Sequence, residues 1–279
     1  MNSLGNNKGF TLIELIMVIV VLGVVSGIVA TFMKIPIDAY LSSGRRAGLT
    51  DQVDTVVRRI ERDLHRALPN SVNVASSGQC LYLIPTKSGG RYRNNDIIPG
   101  DGKGLNFSSA DTSFNMLGNI SSFPSSQKMI SGDLISIYNL GVPGDDVYSG
   151  NNVATIGTPV LDSSTSPVET TIPISSFQFP FQSASSRFHI ISSAERVVSY
   201  VCSGGNLYRY VNSNDFSNAC TSLPANAPLL ASNLGSCQFS YSTPDLSRSA
   251  LVGFALNIQD SSKTESISIE NYVNINNTP

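Results

Sequence analysis

The sequence predicts an α+β protein, with one long N-terminal helix, membrane-spanning in its first half, packed in its second half on an antiparallel β-sheet domain. Two observations carry this expectation. From Phe10 to Met33 the chain is a membrane-length apolar run that holds a single charge, Glu14, and helical patterning continues to Leu68. After Pro69 the texture changes to short β-type runs separated by Ser, Asn, Gly and Pro.

The apolar segment comes first in the chain. The residues from Gly9 to Met33 would span about 37 Å at ~1.5 Å per residue, enough to cross a hydrocarbon core of ~30 Å with some tilt. An ionisable group in such a segment costs roughly 2.5–3.5 kcal/mol at the helix centre and less near an end, so Glu14 calls for a functional partner, most simply an amine. A cut between Gly9 and Phe10 would create one, a helical turn before Glu14. Gly23 and Gly27 form a Gly-x-x-x-Gly spacing that allows close helix approach. The segment lacks the Ala-x-Ala site of a secretory signal peptide, so cleavage falls before it and leaves it in the product.

Beyond Lys34, Leu49, Val53, Val57, Ile60, Leu64 and Leu68 recur at steps of three and four and make one apolar stripe. Arg58, Arg59, Glu61, Arg62, Asp63 and Arg66 fill the other faces. The arginines read as a solvated face balanced by Asp54, Glu61 and Asp63. Pro36 is expected to kink the helix, and Pro69 with Asn70 and Ser71 to stop it.

Strands are expected at Cys80–Ile84, Leu134–Tyr138, Glu169–Ile174, Phe177–Phe181, Phe188–Ile191, Arg196–Val201, Leu207–Val211, Cys237–Tyr241, Leu251–Ile258 and Ser266–Val273. Ser88 to Gly132 reads as an excursion of loops and short strands on the domain surface. All four cysteines, Cys80, Cys202, Cys220 and Cys237, lie beyond the membrane segment and none forms a Cys-x-x-Cys pair, which points to two disulfides in an oxidising compartment. Of the three possible pairings, the turn at Ser203–Asn206 favours Cys202 with Cys220, leaving Cys80 with Cys237.

Catalytic chemistry is sparse. His65 and His189 are the two histidines, and no Gly-x-Ser-x-Gly, His-Glu-x-x-His or phosphate-loop motif occurs. Gly100-Asp101-Gly102-Lys103-Gly104 reads as a surface turn, since no strand leads into it and no helix follows. Gly144-Asp145-Asp146, with Asn151 and Asn152, has oxygen ligands suited to calcium but not the spacing of an EF-hand. A net charge of −2 gives no long-range field for nucleic acid. The chain therefore reads as no enzyme, with no cofactor and no metal.

Lys8-Gly9-Phe10-Thr11-Leu12-Ile13-Glu14 followed by an apolar helix resembles the prepilin signature of type IV pilins and type II secretion pseudopilins. The resemblance implies cleavage after Gly9 by a prepilin peptidase, methylation of the new amine of Phe10, and a subunit-registering role for Glu14, the fifth residue of the mature chain. It divides the chain into a leader (1–9), a transmembrane and assembly helix (10–33), an amphipathic continuation (34–69) and a β-rich head (70–279). The implied place is the inner membrane in a single pass with a periplasmic head, then the pilus and cell surface. The implied partners are other major and minor pilins, the prepilin peptidase, the inner-membrane assembly platform and membrane lipid.

The runs Leu229–Leu234, Cys237–Tyr241 and Leu251–Ile258 are similar to the end of the larger minor pilins, those of the mannose-sensitive haemagglutinin pilus system among them, and of J-type minor pseudopilins. A head larger than that of a repeating shaft subunit suits a low-copy subunit at a tip. The expected function is thus a minor type IV pilin acting in assembly initiation or a tip complex. The alternatives are a J-type minor pseudopilin of a type II secretion system and a membrane-anchored periplasmic enzyme or ligand-binding receptor.

Overall fold

The computed structural model describes residues 9–75, 77–94, 100–242 and 248–279; Lys8 and the rest of the leader before Gly9 lie outside them. The chain forms two compact units that divide after Asp51. One α-helix, α1, runs from Leu12 to His65. Pro36 lies inside it without ending it. The helix stops three residues short of Leu68, where the Arg66 and Ala67 amides turn back to the carbonyls of Asp63 and Leu64.

In the first unit the apolar side chains of α1 as far as Leu41 are exposed. Leu12, Ile13, Leu22, Val25 and Phe32 are examples, and the most apolar stretch of the helix is long and hydrophobic enough to cross a membrane. In the second unit the stripe behaves differently. Val53, Val56, Ile60 and Leu64 are buried, and Val57 is only partly so, because the buried face has rotated by one residue onto Val56.

Fifteen strands are present among the described residues. In chain order the first are β1 (Asn73–Val74), β2 (Cys80–Leu83), β3 (Thr86–Arg91), β4 (Asp111–Met116) and β5 (Leu134–Ser136). Next come β6 (Ala154–Thr155), β7 (Val160–Asp162), β8 (Glu169–Phe177), β9 (Arg187–Ile191) and β10 (Val197–Ser203). The last are β11 (Asn206–Asn212), β12 (Leu229–Ala231), β13 (Leu234–Ser242), β14 (Ser249–Gln259) and β15 (Ser266–Asn276).

They form four antiparallel sheets, ordered β1-β2-β10-β11-β12, β13-β14-β15, β3-β9-β5-β6 and β4-β8-β7. The last two enclose one core. Phe114 and Met116 of β4, Ile172 and Ile174 of β8, Ile135 of β5, and Phe188 and Ile190 of β9 meet there. β14 and β15 pair over eleven residues, Ser249↔Asn276 through Gln259↔Ser266. Their alternation buries Ala250, Val252, Phe254, Leu256 and Ile258 on one face of β14. The α+β class with an antiparallel sheet domain and a long apolar helix is therefore present, in a pilin-like arrangement.

Three expectations need correction. The segment from Ser88 to Gly132 is no surface excursion, because Tyr92, Leu105, Phe114, Met116 and Met129 are core residues of the paired sheets. Phe177–Phe181 is not a separate strand; Phe177 closes β8 and Phe179 is buried beyond it.

The disulfides pair the other way, Cys80 with Cys220 and Cys202 with Cys237, at Cα separations of 5.6 and 6.3 Å. The reason is pleat parity. Val201 pairs directly with Cys80 across β10 and β2, so these two side chains share a face, and Cys220 packs there with both. Cys202, one residue on, points to the opposite face. A turn beside Cys202 brings Cys220 close in sequence but on the wrong side of the sheet.

Candidate functional site

The N-terminal site is built by the start of α1. Gly9, Phe10 and Thr11 precede the helix in irregular backbone, and Gly9 and Phe10 are exposed. Thr11 stands at the helix N-cap and Glu14 three residues on. The Glu14 amide donates to Thr11 Oγ1 and the Thr11 amide donates to Glu14 Oε2, both at 3.4 Å, while Thr11 Oγ1 lies 3.4 Å from the same carboxylate oxygen. This reciprocal arrangement is a capping box.

The carboxylate at the head of the apolar helix is thus fixed by local hydrogen bonds one turn from the Gly9–Phe10 bond, and it favours the positive end of the helix dipole. Gly9, Phe10 and Glu14 fall together as the sequence places them. Thr11 joins them as the N-cap, and Thr-x-x-Glu before an apolar run is the sequence sign of such a cap. Further along, a Cβ built on Gly23 or Gly27 meets nothing, which leaves a smooth, unpartnered strip on the helix.

In the second unit the last turns of α1 are tied to two sheets by polar contacts. Asp63, fully buried, accepts from Arg209 Nε of β11 and from the Tyr200 hydroxyl of β10, each at 2.7 Å. Burial, with the Asp63 charge beside it, drives the Tyr200 phenol far up from its ordinary value, so it stays a donor. Arg209 reaches on to Glu195 at 2.6 Å, and Glu195 also meets Arg66 of the segment after α1 at 3.3 Å. From the other sheet, Asn271 of β15 donates to Glu61 at 2.7 Å. No sequence signal foretold this cluster, since its hydrogen-bonded partners lie up to 210 residues apart.

The other candidate residues are engaged in holding the fold. Asp101 pairs with buried Arg93 at 2.7 Å, and Arg93 also meets Glu169 at 3.1 Å. Lys103 pairs with Asp162 at 2.7 Å, and that ammonium holds the Asp162 carboxyl well below the usual carboxylate range. The Gly100–Gly104 turn is thereby pinned to β7 and β8. Asp145 is buried, accepting from the Leu140 amide and the Asn152 side chain, while Asp146 caps the short helical turn Val147–Ser149. These carboxylates are committed to protein donors. Among the described residues no three His, Cys, Asp or Glu side chains gather as metal ligands. His65 is exposed on α1, and His189 lies in β9 opposite Gly89.

Comparison with known proteins adds one finding. A family model for the prokaryotic N-terminal methylation motif matches residues 4–30, which takes in Gly9, Phe10, Glu14 and most of the apolar segment. No curated protein and no solved structure matched the chain. The motif, the apolar helix and the antiparallel head support a pilin-like protein that is anchored in a membrane, processed by prepilin peptidase and assembled with other pilins.

Proposed function

We propose that the chain is a structural subunit and no enzyme: a minor type IV pilin that is cut after Gly9, methylated on Phe10, held in the inner membrane with its head in the periplasm, and then drawn into a pilus as an initiating or tip subunit. The observation that carries the reading is the placement of Glu14 in the first turn of a bare apolar helix, one turn after an exposed Gly9–Phe10 bond inside the matched methylation motif. On this reading the chain divides into a leader (1–9), an assembly helix (10–33), its continuation (34–69) and a head (70–279).

The physical driving force is transfer of the apolar helix from lipid to a bundle of like helices. Burying a lone carboxylate there is unfavourable unless a cation meets it, and the methylated amine of a neighbouring Phe10 supplies one. Within pilins, the C-terminal run from Leu229 to Ile258 and the large head favour a low-copy subunit of the MshO kind, from the mannose-sensitive haemagglutinin system. The same motif would serve a J-type minor pseudopilin, which is held in the membrane and assembled by the same steps.

The test replaces Glu14 with Val. Removing a charge from an apolar segment favours insertion, so mature protein should accumulate in the inner membrane at normal levels. Its amount in sheared filaments should fall about tenfold or more, as expected when a charge pair in low dielectric loses one partner. Undiminished recovery of the Glu14→Val protein in filaments would overturn the assembly role.

A further inference from the structure

We propose that a groove in the second unit, walled by the distal part of α1 and floored by edge strand β12, is a docking site for an extended acidic segment of a partner protein. The groove has a volume of about 750 Å³. Arg58, Arg59 and Arg62 of α1 and Arg209 of β11 line it, and among the described residues no carboxylate does. Two of these guanidiniums are under-used. Arg62 has no ion pair or hydrogen bond among the described residues. Arg59 buries its Nε–H without an acceptor, 3.7 Å from Asp63 Oδ2 and too far for a hydrogen bond, while about a third of its side chain stays exposed to meet a ligand. Arg58 is held by Asp54, but that pair is exposed and free to exchange for a better acceptor.

The floor decides the class of occupant. β12 ends its five-stranded sheet, pairing with β11 through Tyr208↔Leu229 and Leu207↔Ala231 and, among the described residues, with no strand on its other side. An open strand edge recruits another strand, and Leu229, more than half exposed, adds an uncovered apolar side chain to it. An inorganic phosphate or a lipid headgroup would satisfy the arginines but leave the backbone edge and Leu229 wet. An extended peptide does both: its backbone continues the sheet, apolar side chains cover Leu229, and alternate carboxylates face Arg59 and Arg62. The partner is therefore a protein segment in which acidic and β-branched residues alternate.

Full-length protein in a neutral detergent micelle would be titrated with a fluorescent peptide of alternating Glu and Val. Three controls accompany it: the same peptide with Gln for Glu, a version with Pro at alternate positions, and vesicles of anionic lipid. Saturable binding of the Glu peptide, roughly tenfold weaker for the Gln peptide and lost with Pro, is the expected result. Arg62→Glu should weaken it by roughly tenfold or more and Leu229→Ser by less. Arg62 is exposed, so the fold is expected to survive, which intact disulfide mapping would verify. No binding tighter than about 1 mM, equal binding of the Glu and Gln peptides, or indifference to Arg62→Glu would overturn the proposal. So would binding to anionic vesicles alone, which would assign the arginines to lipid.

Discussion

Asp63 and Arg209 meet at 2.7 Å although 146 residues separate them, one in the last turn of α1 and the other in β11. The carboxylate is wholly buried, so its stability rests on the donors it finds there rather than on water. Removing the guanidinium alone would strand a charge. Arg209→Met is therefore expected to destabilise the protein by about 3 kcal/mol or more, and Asp63→Ala by a similar amount. The double variant should lose clearly less than the sum, a coupling that urea unfolding of the four proteins of the cycle would measure.

The disulfides offer a second check. Peptide mapping without reduction should join Cys80 to Cys220 and Cys202 to Cys237. Their sequence separations, 140 and 35, give about 5 and about 4 kcal/mol in the chain-entropy account, so Cys80→Ala is expected to cost slightly more than Cys237→Ala. A Cys202–Cys220 peptide would contradict the strand parity described above.

Processing is tested at Gly9. A bulky Gly9→Leu side chain should leave the uncut precursor in the membrane, seen as a slower band on a denaturing gel, with the helix itself unaffected because Gly9 lies before it. A normally matured Gly9→Leu protein would remove the cleavage assignment.

Acid should weaken the fold partly through His189. Desolvation in β9, with Arg187 nearby, lowers its pKa from 6.5 to about 4. The unfolded chain thus takes up this proton near 6.5 while the folded one resists until about 4, so the contribution is complete above 6.5 and is lost as pH falls through 4. His189→Gln is expected to flatten the fall in melting temperature across that window. Parallel melting curves for the two proteins would show that His189 does not sense pH.

The helix and the longest strands were legible because each carries its own period. Ile60 and Leu64 announce the buried face, and Ser266 to Ile269 the alternation of β15. β3 was not legible: Thr86-Lys87-Ser88-Gly89-Gly90-Arg91 has no apolar pattern and is a strand because β9 pairs with it. β12 is three residues long and owes its state to β11. At the N-terminal site, Gly9, Phe10 and Glu14 are contiguous and could be read directly. The Asp63 cluster and the arginine groove could not, since Arg209 and Leu229 reach α1 only through the pairing of sheets.

The crosslink between Cys80 and Cys220 also fixes how the head would carry tension. A force entering along α1 and leaving near the C-terminus passes from Cys80 straight to Cys220, and the 140-residue interval between them, with strands β3 to β11, is taken out of the load path. At ~3.4 Å per residue that interval would otherwise pay out about 480 Å of slack. Oxidised, the head is a short link whose two inner sheets hang unstressed beside it; reduced, it is a long tether.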